Sequence, residues 1–183
     1  MALQEYNDTI CELASAVDQL CQSMDPRLVP PGGAGIGYAV AGAREDTGIA
    51  AVKGGILNID GKPTAPGPCV FGTGDPVSPA ILTAMKFNPA IRSAAILRFS
   101  DALVDVLDDM LLEYCSFDPA REPPGITTMD WGVASCCRHG VPDVIYNRGT
   151  AKKEPLLRIF AEKPAGVANN IIMLSNRIIC IEL

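Results

Sequence analysis

The chain has 183 residues, 48% of them hydrophobic and 20% charged, and a formal net charge of −6 at pH 7. That length suffices for one domain, residues 1–183, with a full core, and the acidic balance excludes direct nucleic-acid binding, which needs a basic face. No apolar run reaches the ~18 to 20 residues of a membrane span, and no basic region followed by an apolar core marks a signal peptide. The single histidine, His139, excludes a Ser-His-Asp triad or a histidine metal centre as the working chemistry. It is read as structural, at a helix C-terminus. Seven cysteines (11, 21, 69, 115, 136, 137 and 180) are odd in number and lack a C-x-x-C pair. A disulfide framework or a zinc site is therefore not expected, and a reducing, cytoplasmic compartment is. Cys136 and Cys137 are expected to pack as small apolar residues on a helix.

Residues 9 to 24 are expected to be helical. Thr9-x-x-Glu12 has the capping-box pattern, and Ile10, Leu13, Ala14, Val17, Leu20, Cys21 and Met24 recur at helical spacing. Pro26, Pro30 and Pro31 end the helix. Ala34 to Ala41 follows as a strand in which Gly35 and Gly37 mark either close approach of another group or tight packing. Ile49 to Val52 and Ile56 to Ile59 are short strands, Asp60-Gly61 is a hairpin-type turn, and residues 61 to 68, rich in proline and glycine, are expected to be loop.

Cys69 to Phe71 is a strand and Ser78 to Phe87 a helix. Between them Gly72-Thr73-Gly74-Asp75-Pro76 is a candidate phosphate cradle, since free backbone N–H groups and a helix dipole favour an anion. Pro76 and Pro79 each remove one donor. Asn88-Pro89 breaks the helix, and Ala94 to Leu97 is a buried strand closed by Arg98. Ser100 is expected to cap a helix with Leu103, Val106, Leu107, Met110 and Leu111 inward. The acids on its other face read as a solvated surface.

Tyr114 to Phe117 is a strand, followed by a loop with Arg121 and Glu122. Thr127 or Thr128 caps a helix running to Arg138 and closed by Gly140. Trp131 lies off its inward face, where it either packs on a neighbour or lines a site. Asp143 to Tyr146 and Leu156 to Phe160 are strands joined by a cation-rich loop. Pro164 to Asn176 is a helix, and Ile178 to Leu183 is a final strand or a segment that pairs with a neighbour. This alternation gives an α/β layered domain with a mixed sheet.

The run Thr83-Ala84-Met85-Lys86-Phe87-Asn88-Pro89-Ala90-Ile91-Arg92-Ser93-Ala94 resembles the archaeal thiamine-phosphate synthase domain, the ThiN family. Ser116-Phe117-Asp118, Arg121-Glu122-Pro123, Met129-Asp130-Trp131-Gly132, Pro142 to Tyr146, Gly149 and Lys153 to Arg158 match in the same order. The similarity covers about residues 10 to 175. It implies a three-layer α/β/α sandwich with a mixed, largely antiparallel sheet. It also implies the joining of a pyrimidine methyl pyrophosphate to a thiazole phosphate, giving thiamine phosphate and pyrophosphate.

Both implied substrates are polyanions, and a leaving pyrophosphate needs positive charge aimed at its oxygens. The matching cations are Lys86, Arg92, Arg98, Arg121, Lys153 and Arg158, with Mg²⁺ able to share the load if the chain is active. Asp118, Asp143 and Glu154 are assigned to orient those cations or to bind the pyrimidine amine, the alternative being internal pairs such as Arg121 with Asp118. Gly72, Thr73, Gly74, Met85, Asn88, Trp131, Asn147 and Gly149 complete the candidate ligand-binding set. No covalently bound cofactor is expected, and a homodimer is compatible with the N-terminal helix and apolar C-terminus.

Three family positions, in two segments, differ. The family's G-R-I segment reads Gly54-Gly55-Ile56, and its F-G-x-S-x-H-x-A-R segment places Pro76 at the histidine and Pro79 at the arginine. Neither glycine nor proline donates a proton or binds a leaving group by its side chain. The expected function is therefore binding of thiamine phosphate or its phosphorylated precursors with catalysis lost or impaired. The alternatives are a working synthase that recruits Lys53, Lys62 or Mg²⁺, and a structural subunit.

Overall fold

Helix α1 (Ala2–Ser23) is longer than the spacing predicts. A computed structural model describes residues 1–125 and 129–183 of the chain. Leu13, Ala16, Val17 and Leu20 make the buried stripe of α1. Thr9 does not start the helix but sits inside it, where its Oγ1 donates to Glu5 O at 2.7 Å. The eight residues before it are mostly exposed and extend the helix without a hydrophobic signal.

Seven strands form the main sheet: β1 (Gly35–Ala39), β2 (Ile49–Val52), β5 (Cys69–Phe71), β6 (Ser93–Arg98), β7 (Tyr114–Ser116), β8 (Val144–Asn147) and β9 (Leu156–Ala161). Their order is β5-β2-β1-β6-β9-β8-β7. Every pair is antiparallel except β7 with β8. A separate hairpin joins β3 (Leu57–Ile59) to β4 (Lys62–Thr64). Its turn residues Asp60 and Gly61 both have positive φ, 52° and 79°, which suits the twist of a two-residue hairpin. Residues 62–64 are thus strand rather than loop, and Pro63 is tolerated because a two-stranded hairpin is all edge.

Strand alternation divides the core in two. On one face Ile49, Ala94, Ile96, Ile145 and Phe160 pack against α2 (Val77–Phe87) and α4 (Trp131–Cys136). On the other, Ile36, Leu97, Val144, Leu157 and Ile159 pack against α1, α3 (Ala102–Asp109) and α5 (Pro164–Arg177). Each fully buried Leu or Ile contributes roughly 1.5–3 kcal/mol. The result is the three-layer α/β/α sandwich with a mixed, largely antiparallel sheet. Among the described residues no helix is long and apolar enough to cross a membrane.

Several local expectations need correction. Ser100 contributes only its carbonyl to α3, whose N-cap position is Asp101. Thr127 and Thr128 lie outside the described residues. The cap of α4 is Asp130, whose Oδ1 accepts from Val133 N at 3.1 Å, and α4 ends at Cys136 instead of Arg138. Ile178 to Leu183 forms no strand. Arg27 donates to the carbonyls of Ile178 (2.7 Å) and Ile181 (2.5 Å) and holds the segment against its own chain.

The cysteine reading also fails at one pair. Cys115 on β7 and Cys136 on α4 are bonded to each other, with Cα atoms 5.8 Å apart. Nothing in a 21-residue spacing signals this, because it depends on α4 folding back over the sheet edge. Cys137 stays a buried thiol, pushed up to about 11 by desolvation and by the Asp130 charge.

Candidate functional site

Four strand ends meet at one end of the α2 face. Ile96 of β6 pairs across from Gly35 of β1 and from Arg158 of β9, and Asn147 of β8 pairs with Leu156. A cavity of about 560 Å³ opens there, lined by Lys53, Gly55, Thr73, Asp75, Pro76, Ile96, Glu154 and Arg158. A second hollow of about 450 Å³ is lined by Pro79, Phe117, Glu122, Asp130, Asn147 and Lys153. Both are bounded by Pro76, Glu154, Leu156 and Arg158, so they form one cleft with Arg158 between its halves.

Arg158 is nearly buried, with 12% of its side chain exposed. Its Nε lies 3.4 Å from Asp130 Oδ2, and its guanidinium carbon lies 5.4 Å from the centre of the Phe117 ring. Nε and Nη1 are buried and have no hydrogen-bond partner among the described residues. Asp130 is the counter-ion of this buried guanidinium, whose donors it leaves without a close hydrogen bond. Asp130 is fixed from two sides: Thr83 Oγ1 on α2 accepts from its N–H at 2.9 Å, and its Oδ1 caps α4. Phe117 is held edge-on by Trp131, ring centres 6.1 Å apart.

The glycine turn does not form a free phosphate cradle. Gly74 N–H donates to Asp46 Oδ2, Asp75 N–H to Thr73 Oγ1, and Val77 N–H to Asp75 Oδ1. The donors before and at the start of α2 are spent on side chains of the turn and on Asp46. Gly72 and Gly74 have positive φ and shape the turn, and of the predicted set Thr73 lines the cleft. Asp75 is packed against Gly35, where an added Cβ would stand 2.6 Å from its Oδ1. Desolvation holds the Asp75 carboxyl above the usual carboxylate range, against the lowering bond from Val77 N–H. Gly35 thus admits Asp75, whereas Gly37 admits Val77 and Ile81 of α2.

The other candidates lie in several separate places. Glu154, Lys153 and Asn147 join Arg158 at the cleft. Lys153 Nζ is paired with Glu122 Oε2 at 2.7 Å, and Asn147 Oδ1 accepts from Gly149 N–H. Gly149 has φ 72° in a loop too close for any side chain there. Arg98 is exposed at the end of β6, opposite Leu156.

Lys86, Met85, Asn88 and Arg92 lie at the opposite end of the sheet. Met85 and Lys86 border a different hollow with Arg44. Asn88 Oδ1 closes its own turn onto Ala90 N–H. Arg92 donates to Ala39 O at 2.9 Å and lies over the Tyr38 ring. Helix α2 runs away from the cleft, so the structure does not bring these residues together with Arg158. Asp118 and Arg121 form an exposed pair at 3.8 Å, the internal-pair alternative. Asp143 Oδ2 accepts from Glu113 N–H between β7 and β8. Trp131 packs on Phe117 instead of lining the cleft itself. Lys62 lines a separate hollow with Asp18 and Cys21.

Asp130 and Phe117 join the site without having been singled out as site residues in the sequence, and Asp75 was marked there only as part of the glycine turn. Asp130 was visible only as part of Met129-Asp130-Trp131-Gly132. Its pairing with Arg158 joins residues 28 apart and has no local signature. Among the described residues no cluster of three His, Cys, Asp or Glu is placed to hold a metal. Mg²⁺ needs only one or two carboxylates beside substrate phosphates, and Asp75 and Glu154 are the carboxylates of the larger cavity.

The sequence model described as Thiamine-phosphate synthase ThiN matches residues 12–173. The bifunctional thiamine biosynthesis protein ThiDN of Methanocaldococcus jannaschii is 33% identical over 155 residues, 83% of this chain. The chain spans only 37% of that relative's length. The thiamine-phosphate synthase ThiN of Methanothermobacter thermautotrophicus is 29% identical over 127 residues, 66% of this chain and 67% of its own. The crystal structure of the C-terminal domain of protein MJ0236 superposes with a TM-score of 0.89 at 30% identity, covering 96% of this chain and 98% of that one. That of the C-terminal domain of phosphomethylpyrimidine kinase gives 0.82 at 30% identity, covering 91% and 98%.

Proposed function

Because the chain belongs to the ThiN family of thiamine-phosphate synthases, we propose that it binds thiamine phosphate or its phosphorylated precursors in the Arg158 cleft without turning them over efficiently. One observation carries this reading: Gly55 and Pro76, at a family arginine and the family histidine, line the same cavity as Arg158, and Pro79, at the second family arginine, lines the adjoining hollow. The cleft therefore keeps a buried cation for a phosphate and lacks the side chains that the resemblance associates with catalysis. Arg158 would hold the anion through the exposed part of its guanidinium, Phe117 and Asp130 would orient the guanidinium, and Lys53 would add charge in the same cavity.

Mg²⁺ would add charge beside the pyrophosphate, with Asp75 and Glu154 as the carboxylates within the larger cavity. A second reading, an active synthase, is favoured by one feature. Lys53 lines the cavity two residues before Gly55 and offers a substitute cation, and stabilising a leaving pyrophosphate needs charge more than one particular residue.

Calorimetric titration with thiamine phosphate tests the binding claim. Saturable heat that falls at least about tenfold in affinity in Arg158→Met, a loss of about 1.4 kcal/mol, is expected. Absence of binding by the folded wild-type chain would favour a structural subunit instead.

A further inference from the structure

The bond between Cys115 and Cys136 closes a ring of chain around one wall of the cleft. Cys115 lies on the edge strand β7 and Cys136 ends the six-residue helix α4. The stretch between them supplies Phe117, Pro119, Glu122, Asp130 and Gly132 to the second hollow. Two of these residues contact the Arg158 guanidinium directly: Phe117 beneath its plane and Asp130 at Nε. Both cysteines are partly exposed, so a small thiol reagent can reach them. The other five cysteines are free, so this is one bridge in a thiol-bearing chain and not a framework.

We propose that the Cys115–Cys136 pair is a thiol–disulfide switch that sets the affinity of the Arg158 cleft for a phosphorylated ligand. The identity of that ligand rests on the function proposed above; the switch itself rests on the ring. The reductant is a dithiol. Its thiolate attacks one sulfur, the mixed disulfide is resolved by its second thiol, and two electrons and two protons pass to the cysteines as the reagent becomes a cyclic disulfide. Opening the ring releases the wall that orients Arg158, so a smaller fraction of molecules holds the binding geometry.

The test uses the full chain prepared without reductant. Unfolded protein should show five free thiols before dithiothreitol and seven after it, from the seven cysteines of the chain. Amide hydrogen exchange at Phe117 and at Asp130 to Gly132 should quicken at least about tenfold on reduction. Cys115→Ser should match the reduced protein and ignore dithiothreitol. Thiamine phosphate and inorganic pyrophosphate, titrated in parallel, should each bind about five- to tenfold more weakly to the reduced form. Seven thiols at the outset, unchanged exchange, or equal pyrophosphate affinity in both states overturns the switch. Redox-sensitive pyrophosphate binding with no thiamine phosphate binding overturns the functional reading and leaves the switch standing.

Discussion

Arg158 Nε stands 3.4 Å from Asp130 Oδ2, each side chain less than one-sixth exposed, at the junction of the two halves of the cleft. Removing the charge of Asp130 leaves a buried guanidinium without a counter-ion, which typically costs several kcal/mol. Asp130→Asn keeps an oxygen for Val133 N–H and isolates the charge effect. It should lower unfolding free energy by about 3 kcal/mol in urea melts. A loss under about 0.5 kcal/mol would mean that the pair does not hold this wall.

Gly132 is in face contact with the Phe117 ring, and an added Cβ would overlap it. Gly132→Ala must displace Phe117, which lies against Arg158. Overpacking of this kind costs roughly 1–3 kcal/mol. The variant should also weaken pyrophosphate binding, as read by calorimetry at a temperature where it remains folded. Unchanged affinity would show that the aromatic floor does not position the guanidinium.

Asp75 predicts a pH dependence. Its carboxyl is raised above the ordinary value of 3.8, first by desolvation. The folded chain therefore holds this proton more tightly than the unfolded chain. The associated stability is complete below pH 3.8 and is lost as pH rises through the raised folded value. Asp75→Asn cannot ionise and keeps an acceptor for Val77 N–H. It should be more stable than wild type at neutral pH, with the difference shrinking toward pH 3.8. Urea midpoints across that range check the sign, and a variant less stable at neutral pH contradicts it.

Restoring the two family side chains is not symmetrical. Gly55 has φ 71°, and a Cβ there would stand 3.1 Å from Ala34 O. Gly55→Arg should cost roughly 1–2 kcal/mol from backbone conformation alone. Pro76 has φ −55° and ψ −19°, open to any residue, so Pro76→His should change stability by less than about 1 kcal/mol. Thermal melts of the two single variants check this order. A folded double variant should gain thiamine phosphate formation over wild type.

Much of the fold was legible because periodicity is local. Leu13, Val17 and Leu20 marked α1, Asn88-Pro89 marked the end of α2, and Ala94 to Leu97 marked a central strand. The missed segments had weak or misleading local signals: the polar start of α1, Pro63 in a strand, and the Cys115–Cys136 bond. The site was less legible. Cations clustered in sequence, Lys86, Arg92 and Arg98, are spread along α2 and β6, whose lengths carry them to different ends of the sheet. Arg158 was found through the family pattern, and its partners Asp130 and Phe117 only through the fold.

The central claim is a cleft that binds without efficient turnover. Its most direct test is incubation of the purified chain with hydroxymethylpyrimidine pyrophosphate, thiazole phosphate and Mg²⁺, with thiamine phosphate quantified against a no-protein control. Protein that binds thiamine phosphate should yield no more product than the control. Multiple turnovers per chain would contradict it and would make Lys53 the first residue to replace.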